Sequence, residues 1–142
     1  MPGPVLEQIA FVNLAQTYDR LRTAFSALFK EHGITEPQYN VLRILRGAGG
    51  GLPCSQIGDR MITRVPDVTR LLDRLEAHGL IARNRDGEDR RIVLTSITPD
   101  GLKLLTGLDR PVMELHRRTL GHMSERDLEQ LNRLLMKARN GR

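Results

Sequence analysis

The residues best placed to do chemistry are arginines grouped between Arg64 and Arg91. Arg70 and Arg74 stand one helical turn apart, with Asp67 and Thr69 on the same polar side. Arg64 and Pro66 precede them, and Arg85, Arg90 and Arg91 surround a turn that also carries Asp86, Glu88 and Asp89. A guanidinium is a planar fork of donors that fits a phosphate, or the outer edge of guanine, with two hydrogen bonds. A threonine offers a hydroxyl to phosphate or a methyl to thymine, and a carboxylate can accept from the cytosine amine. The chemistry on offer is recognition of a nucleic acid. A plainer use stays open: Arg70 and Arg74 could pair with Asp67, Asp73 or Glu76 on a solvated helix face, and the hairpin acids could neutralise Arg90 and Arg91.

The elements that must position these side chains can be read from spacing. Val68, Leu71, Leu72 and Leu75 recur at helical intervals and predict an amphipathic segment within Val65 to His78 with an apolar inner face. Pro66 is expected to open that helix, Asp67 to sit at its positive end and Gly79 to cap its C-terminus. Leu80 to Ala82 and Ile92 to Ile97 are short β-prone runs on either side of Asp86-Gly87, a strong turn signal. They predict a hairpin with its tip over Arg83 to Arg91. Helix, strand and basic hairpin present one element to a broad groove and another to a narrow one, which reads as a winged helix-turn-helix.

The flanks read as helices. After a loose start over Met1 to Pro4, a helix is predicted from Val5 to about His32, with Phe11, Leu14, Tyr18, Leu21, Phe25 and Leu28 along a narrow seam. Val5, Leu6 and Ile9 widen that surface beyond what one helix can cover, so its first turns are expected to pack on another subunit, the alternative being the chain's own C-terminal helices. Gly33 stops the helix. Thr35 to Gln38 has capping-box spacing and opens a second helix that buries Val41, Leu42, Ile44 and Leu45. Pro53 to Ile62 predicts a third, short helix with Ile57 and Met61 inside. Thr98-Pro99-Asp100 opens a long helix carrying Leu102, Leu105, Leu108, Val112 and Leu115, bent at Gly107 and Pro111. Ser124 caps a last helix with Leu128, Leu131, Leu134, Leu135 and Ala138 on its apolar face. The fold class is mainly α with a small β-hairpin wing, in a single domain over 1–142.

Composition agrees with this reading. A chain of 142 residues normally makes one domain and can bury a core without staples. The net charge of +5 favours a polyanionic partner. Aromatics make up only 4%, so the core must be aliphatic. One cysteine excludes an internal disulfide framework. No apolar run approaches membrane length and no signal peptide is evident, so a cytoplasmic protein without membrane contact is expected. The Gly47 to Gly51 turn follows a helix and lacks a Gly-Lys-Ser/Thr, so it is not expected to cradle phosphate. There is no HExxH, nucleophile elbow or His/Cys cluster, so no enzyme activity, cofactor or metal is expected. His32, His78, His116 and His122 lack close ligand spacing.

Asp89-Arg90-Arg91, then Val93, Ile97-Thr98 and Gly101, resemble the wing motif of the MarR family of bacterial regulators: Asp, any residue, Arg, then a strand ending in Leu-Thr and a glycine opening the next helix. Val68 to Glu76, followed by Gly79-Leu80-Ile81, resembles its recognition helix and the turn into the wing. The likeness covers nearly the whole chain. Pro53 departs from the Thr that often caps the first helix of the DNA-reading pair, and Thr63-Arg64-Val65 departs from the usual Ser-Arg before the proline.

The resemblance implies a transcriptional regulator, most often a repressor, that binds an inverted-repeat operator as a homodimer, with half-sites about 10 bp apart. It implies a DNA-binding region over 35–98 and dimerisation helices over 5–32 and 99–140. The DNA-contacting candidates are Arg64, Pro66, Asp67, Thr69, Arg70, Arg74, Arg85, Asp89, Arg90 and Arg91. In the wing, Asp89 is expected to orient Arg91, and one of Arg90 and Arg91 to enter the minor groove. The resemblance further implies release by a small aromatic effector, with Tyr18, Arg22, Phe25, Tyr39 and Arg43 lining its cleft. Cys54 is expected to pack rather than to sense oxidants, because the thiol-sensing branch uses a cysteine near the chain start. The competing reading is a winged helix used as a protein-interaction module without specific DNA binding.

Overall fold

A computed structural model describes Gly3 and residues 5–141. Apart from Gly3, the loose start expected over 1–4 lies outside the described residues. The described residues form six helices and three short strands in the order α1 (Leu6–Glu31), α2 (Glu36–Ala48), β1 (Leu52–Pro53), α3 (Cys54–Arg60), α4 (Val68–Ala77), β2 (Ile81–Arg85), β3 (Val93–Ile97), α5 (Pro99–Leu120) and α6 (Glu125–Asn140). β3 is the middle strand of an antiparallel sheet ordered β1-β3-β2.

Local chemistry sets most of the ends. Gly33 and Gly79 follow α1 and α4 at φ 75° and 74°, a left-handed conformation that side chains disfavour. The Thr35 hydroxyl accepts from the Gln38 N–H while the Gln38 side chain accepts from the Thr35 N–H, completing the capping box of α2. The Thr98 and Ser124 hydroxyls cap α5 and α6 by accepting from the Gly101 and Asp127 N–H groups, without the reciprocal half of a box. Pro53 precedes α3 without a side-chain cap, as its missing hydroxyl requires.

The sequence expectations need several corrections. Pro66 does not open α4: Asp67 is its N-cap, accepting from the Arg70 N–H at 3.0 Å, and the helix starts at Val68. Pro53 belongs to β1, not to the third helix, because Leu52 and Pro53 pair with Thr95 and Leu94 across the sheet. β2 runs on through Arg83 to Arg85, so Arg83 is a strand residue and the tip shrinks to 86–92. β3 starts at Val93 rather than Ile92. Leu102 is 39% exposed, whereas Leu105, Leu108, Val112 and Leu115 are buried. The expected long helix is α5, which contains Pro111 and runs on to Leu120.

The core gathers around α2. Val41, Leu42 and Leu45 pack with Leu52, Ile57, Leu72, Leu75, Ile81 and Leu105. A second cluster of Phe29, Ile34, Leu108 and Val112 joins α1 to α5, with Tyr39, Leu80 and Leu104 packed against both. α4 and the wing are thereby anchored on a rigid aliphatic base. α6 has no buried residue, and the first half of α1 is exposed throughout.

Candidate nucleic-acid interface and adjoining cavity

α4 is short, and its two polar flanks have different duties. Asp67 is used by the cap. Asp73 and Glu76, one turn apart, both accept from the Arg83 Nη2, at 2.6 and 2.9 Å, and Glu76 also accepts from the Arg83 backbone N–H at 3.2 Å. The clamp joins the reading helix to the first strand of the wing. The Glu76 carboxyl is held below the usual carboxylate range by the Arg83 hydrogen bond, and the Arg83 guanidinium is held charged by Glu76 and then Asp73. Arg83 was not among the expected site residues. The signal was there in the Asp73/Glu76 spacing, but the partner depended on how far β2 extends.

With those acids occupied, the exposed Arg70 and Arg74 have no carboxylate partner among the described residues, and neither does Arg64 in the preceding turn. The self-paired helix face, open on the sequence alone, is not what forms. Thr69 and Pro66 are exposed beside them, and the Thr69 hydroxyl lies 4.0 Å from the Cys54 Sγ. Cys54 is half-buried at the start of α3.

The wing tip is ordered by its own acids. Asp89 forks Arg91, accepting from Nε and Nη2 at 3.1 Å each and from the Arg91 backbone N–H at 3.1 Å. The Arg91 side chain is nevertheless 91% exposed. Its guanidinium holds the Asp89 carboxyl below the usual range. The Arg85 Nη1 donates to the Arg90 carbonyl at 2.8 Å, bracing the turn from the other strand and leaving the Arg90 side chain exposed. Asp86 accepts from the Glu88 N–H at 3.1 Å, and its own N–H donates to the Ile92 carbonyl at 2.8 Å.

The five residues expected around an effector come together. Tyr18, Arg22, Phe25, Tyr39 and Arg43 all line one cavity of about 450 Å³ between α1, α2 and the end of α5. Phe29, Asn40, Ile62, Thr63 and His116 complete much of its wall and were not foreseen. Four of the chain's five Phe and Tyr residues lie here, which is a high concentration in a protein so poor in aromatics. Phe29 and Tyr39 stack at 4.4 Å, and the His116 ring lies 4.6 Å from Phe25. The Arg43 guanidinium donates to the Tyr39 hydroxyl at 3.0 Å. Arg22 pairs with Glu36 at 3.6 Å in the wall shared with a second hollow of about 710 Å³, which Ser26 and Lys30 also line. Pockets of this size commonly hold small molecules. Among the described residues no group of His, Cys, Asp and Glu could hold a metal ion, and no helix is long and apolar enough to cross a membrane.

A helix-turn-helix whose reading helix is clamped to an arginine-bearing β-hairpin defines the class: a winged helix-turn-helix protein. Comparison with known proteins gives the family. Residues 34–93 match the MarR family. A crystal structure of a MarR transcription factor from Planctomyces limnophilus is 40% identical, covers 95% of this chain and 98% of its own, and superposes with a TM-score of 0.73. The chain belongs to the MarR family of transcriptional regulators. The HTH-type transcriptional repressor IacR of Pseudomonas putida is 27% identical over 129 residues, 91% of this chain and 77% of that protein. BpsR of Bordetella bronchiseptica, whose DNA binding is regulated by 6-hydroxynicotinic acid, is 26% identical over 97% of both chains, with a TM-score of 0.84. These relatives are regulators, not enzymes.

Proposed function

We propose that this protein is a cytoplasmic repressor that binds an inverted-repeat operator as a homodimer and lets go when a small aromatic molecule enters the α1–α2–α5 cavity. One observation carries the DNA-reading part. Every carboxylate on α4 that could silence Arg70 and Arg74 is engaged elsewhere, so both guanidiniums face solvent with their donors unspent. Arg70, Arg74 and Thr69 then read bases and phosphates in the major groove, with Asp67 beside them. Arg64 and the backbone near Pro66 meet phosphate. Arg85, Asp89 and Arg90 shape a wing that offers Arg91 to the minor groove, where a narrow groove concentrates negative potential.

The homodimer is supported by apolar surface that one chain leaves uncovered. Leu6 and Phe11 are 79% and 71% exposed, and Ile9, Val12, Leu14, Leu134 and Met136 are exposed as well. α6 fully buries no residue in its own chain and only half-buries Leu128, Leu131 and Leu135, a costly arrangement unless a second copy covers it. Two-fold symmetry then places two copies of α4 about one DNA turn apart. Effector release is supported by the aromatic concentration in the cavity and by the regulation of BpsR by a heteroaromatic acid.

Selection of bound duplexes from a random-sequence pool at near-physiological salt tests the proposal. An inverted repeat with half-sites about 10 bp apart is expected. Recovery of no motif, with only salt-sensitive background binding, would favour a protein-interaction role.

A further inference from the structure

The turn between α3 and α4 carries Arg64 and leads to the cap of the reading helix. Very little holds it. The Met61 N–H donates to the Gly58 carbonyl and the Leu71 N–H to the Asp67 carbonyl, each at 3.3 Å, but these bonds stand outside the turn. Among the described residues, no backbone–backbone bond holds 62 to 66. Among the described residues, the one hydrogen bond that ties this stretch to the rest of the protein comes from α2: the Asn40 Oδ1 accepts from the Ile62 backbone N–H at 2.8 Å, across 22 residues of chain.

Both ends of that bond line the aromatic cavity. Asn40 stands between Tyr39 and, one turn on, Arg43, both on the same wall. Ile62 is 84% exposed, an unusual cost for a large aliphatic side chain on a tight turn. A ring seated in the cavity would cover Ile62 and gain apolar contact, and its polar group would offer the Asn40 amide a competing partner. The same occupant therefore rewards movement of the turn and weakens the bond that opposes it.

We propose that Asn40 is the positioning residue that couples the cavity to DNA: its bond to the Ile62 N–H latches the turn in the reading conformation, and an occupant of the cavity releases the latch. The proposal rests on the effector reading above and goes beyond it by naming the element that both sites bias. The DNA affinity lost on release equals the extra affinity of the ligand for the unlatched form.

The test uses the full chain, the operator recovered by selection, 6-hydroxynicotinic acid as probe and fixed salt. Asn40→Leu keeps the side-chain size but offers no acceptor, and Asn40→Asp keeps the acceptor. In the unsubstituted protein the Ile62 amide should exchange slowly, and the probe should speed its exchange and weaken operator binding. Asn40→Leu should lose Ile62 amide protection and bind operator about tenfold more weakly without any probe. The probe should then change its affinity less than twofold. Asn40→Asp should restore both the protection and the response to the probe. The proposal is overturned by an Asn40→Leu protein that binds operator with unchanged affinity and answers the probe fully. It is overturned equally if Asn40→Asp regains Ile62 protection but not the probe response, because Asn40 would then be a structural residue only. If the probe leaves the melting temperature and operator affinity of the unsubstituted protein unchanged, release by this ligand class fails. The latch is then judged on Ile62 exchange and on the probe-free affinity of Asn40→Leu, and unchanged values there overturn it.

Discussion

Arg70 and Arg74 are available to a ligand because of what their neighbours do. Asp67 is committed to a backbone N–H, while Asp73 and Glu76 are committed to Arg83. Replacing Arg70 or Arg74 with alanine should each cost about 1–3 kcal/mol of specific binding, measured against a scrambled duplex at the same salt. A phosphate contact would instead weaken specific and scrambled DNA alike and lower the salt slope by about one. Arg83→Met should act differently. It removes no DNA contact but frees the Asp73 and Glu76 carboxylates beside Arg70 and Arg74 and loosens the wing. Operator affinity should fall about tenfold or more, and Arg83→Lys should recover only part of it, since an ammonium cannot hold the same fork.

Elements meet at two junctions that the reading domain depends on. At the first, the Thr98 hydroxyl donates to the Gly79 carbonyl at 2.7 Å and accepts from the Gly101 N–H at 3.1 Å, while the Thr98 N–H donates to the Leu80 carbonyl at 3.1 Å. The end of α4, the entry to β2 and the start of α5 share this corner. A Cβ on Gly101 would collide with the Leu80 carbonyl oxygen and lie 2.7 Å from the Ile97 side chain, which is the physical reason a glycine opens this helix. Gly101→Ala should destabilise the fold by about 1–3 kcal/mol, readable in urea unfolding.

At the second junction, the Arg46 Nη1 and Nη2 donate to Asp109 at 2.9 and 2.8 Å, tying α2 to α5. The Arg46 hydrogen bonds hold the Asp109 carboxyl below its ordinary range. A carboxyl depressed in the folded state adds stability above its unfolded pKa and loses it as pH falls through the folded value. Asp109→Asn should therefore lower Tm by about 1–3 °C near pH 7, the pair being partly exposed, and by progressively less as the pH falls through the depressed folded value.

Across the whole molecule the apolar surface is unevenly satisfied. The α2-centred core is closed, whereas the start of α1 and the face of α6 are open. A charged residue in that open surface should separate the copies without unfolding the chain. Phe11→Asp with Leu134→Asp should halve the mass in light scattering and reduce operator affinity by about a hundredfold, because one reading helix then binds without its partner. A dimeric mass for this double variant would place the subunit contact elsewhere.

What the sequence determined by itself was whatever is local. The 3.6-residue repeats of α2, α4 and α5, the caps at Thr35, Thr98 and Ser124, and the Asp86-Gly87 turn are set by residues within a few positions of one another, so their chemistry could be read in order along the chain. The placement of Tyr18, Arg22, Phe25, Tyr39 and Arg43 around one cleft came from resemblance to a family, not from spacing. Tertiary structure alone decided the pairings that span long loops: Leu52 against Thr95, Arg46 on Asp109 and Asn40 under Ile62. It also decided that Arg83, not Arg70 or Arg74, takes the acids of α4. Charge and hydrogen-bonding capacity are written in the sequence, but which donor reaches which acceptor depends on distance. Distance between remote residues exists only once the core has closed.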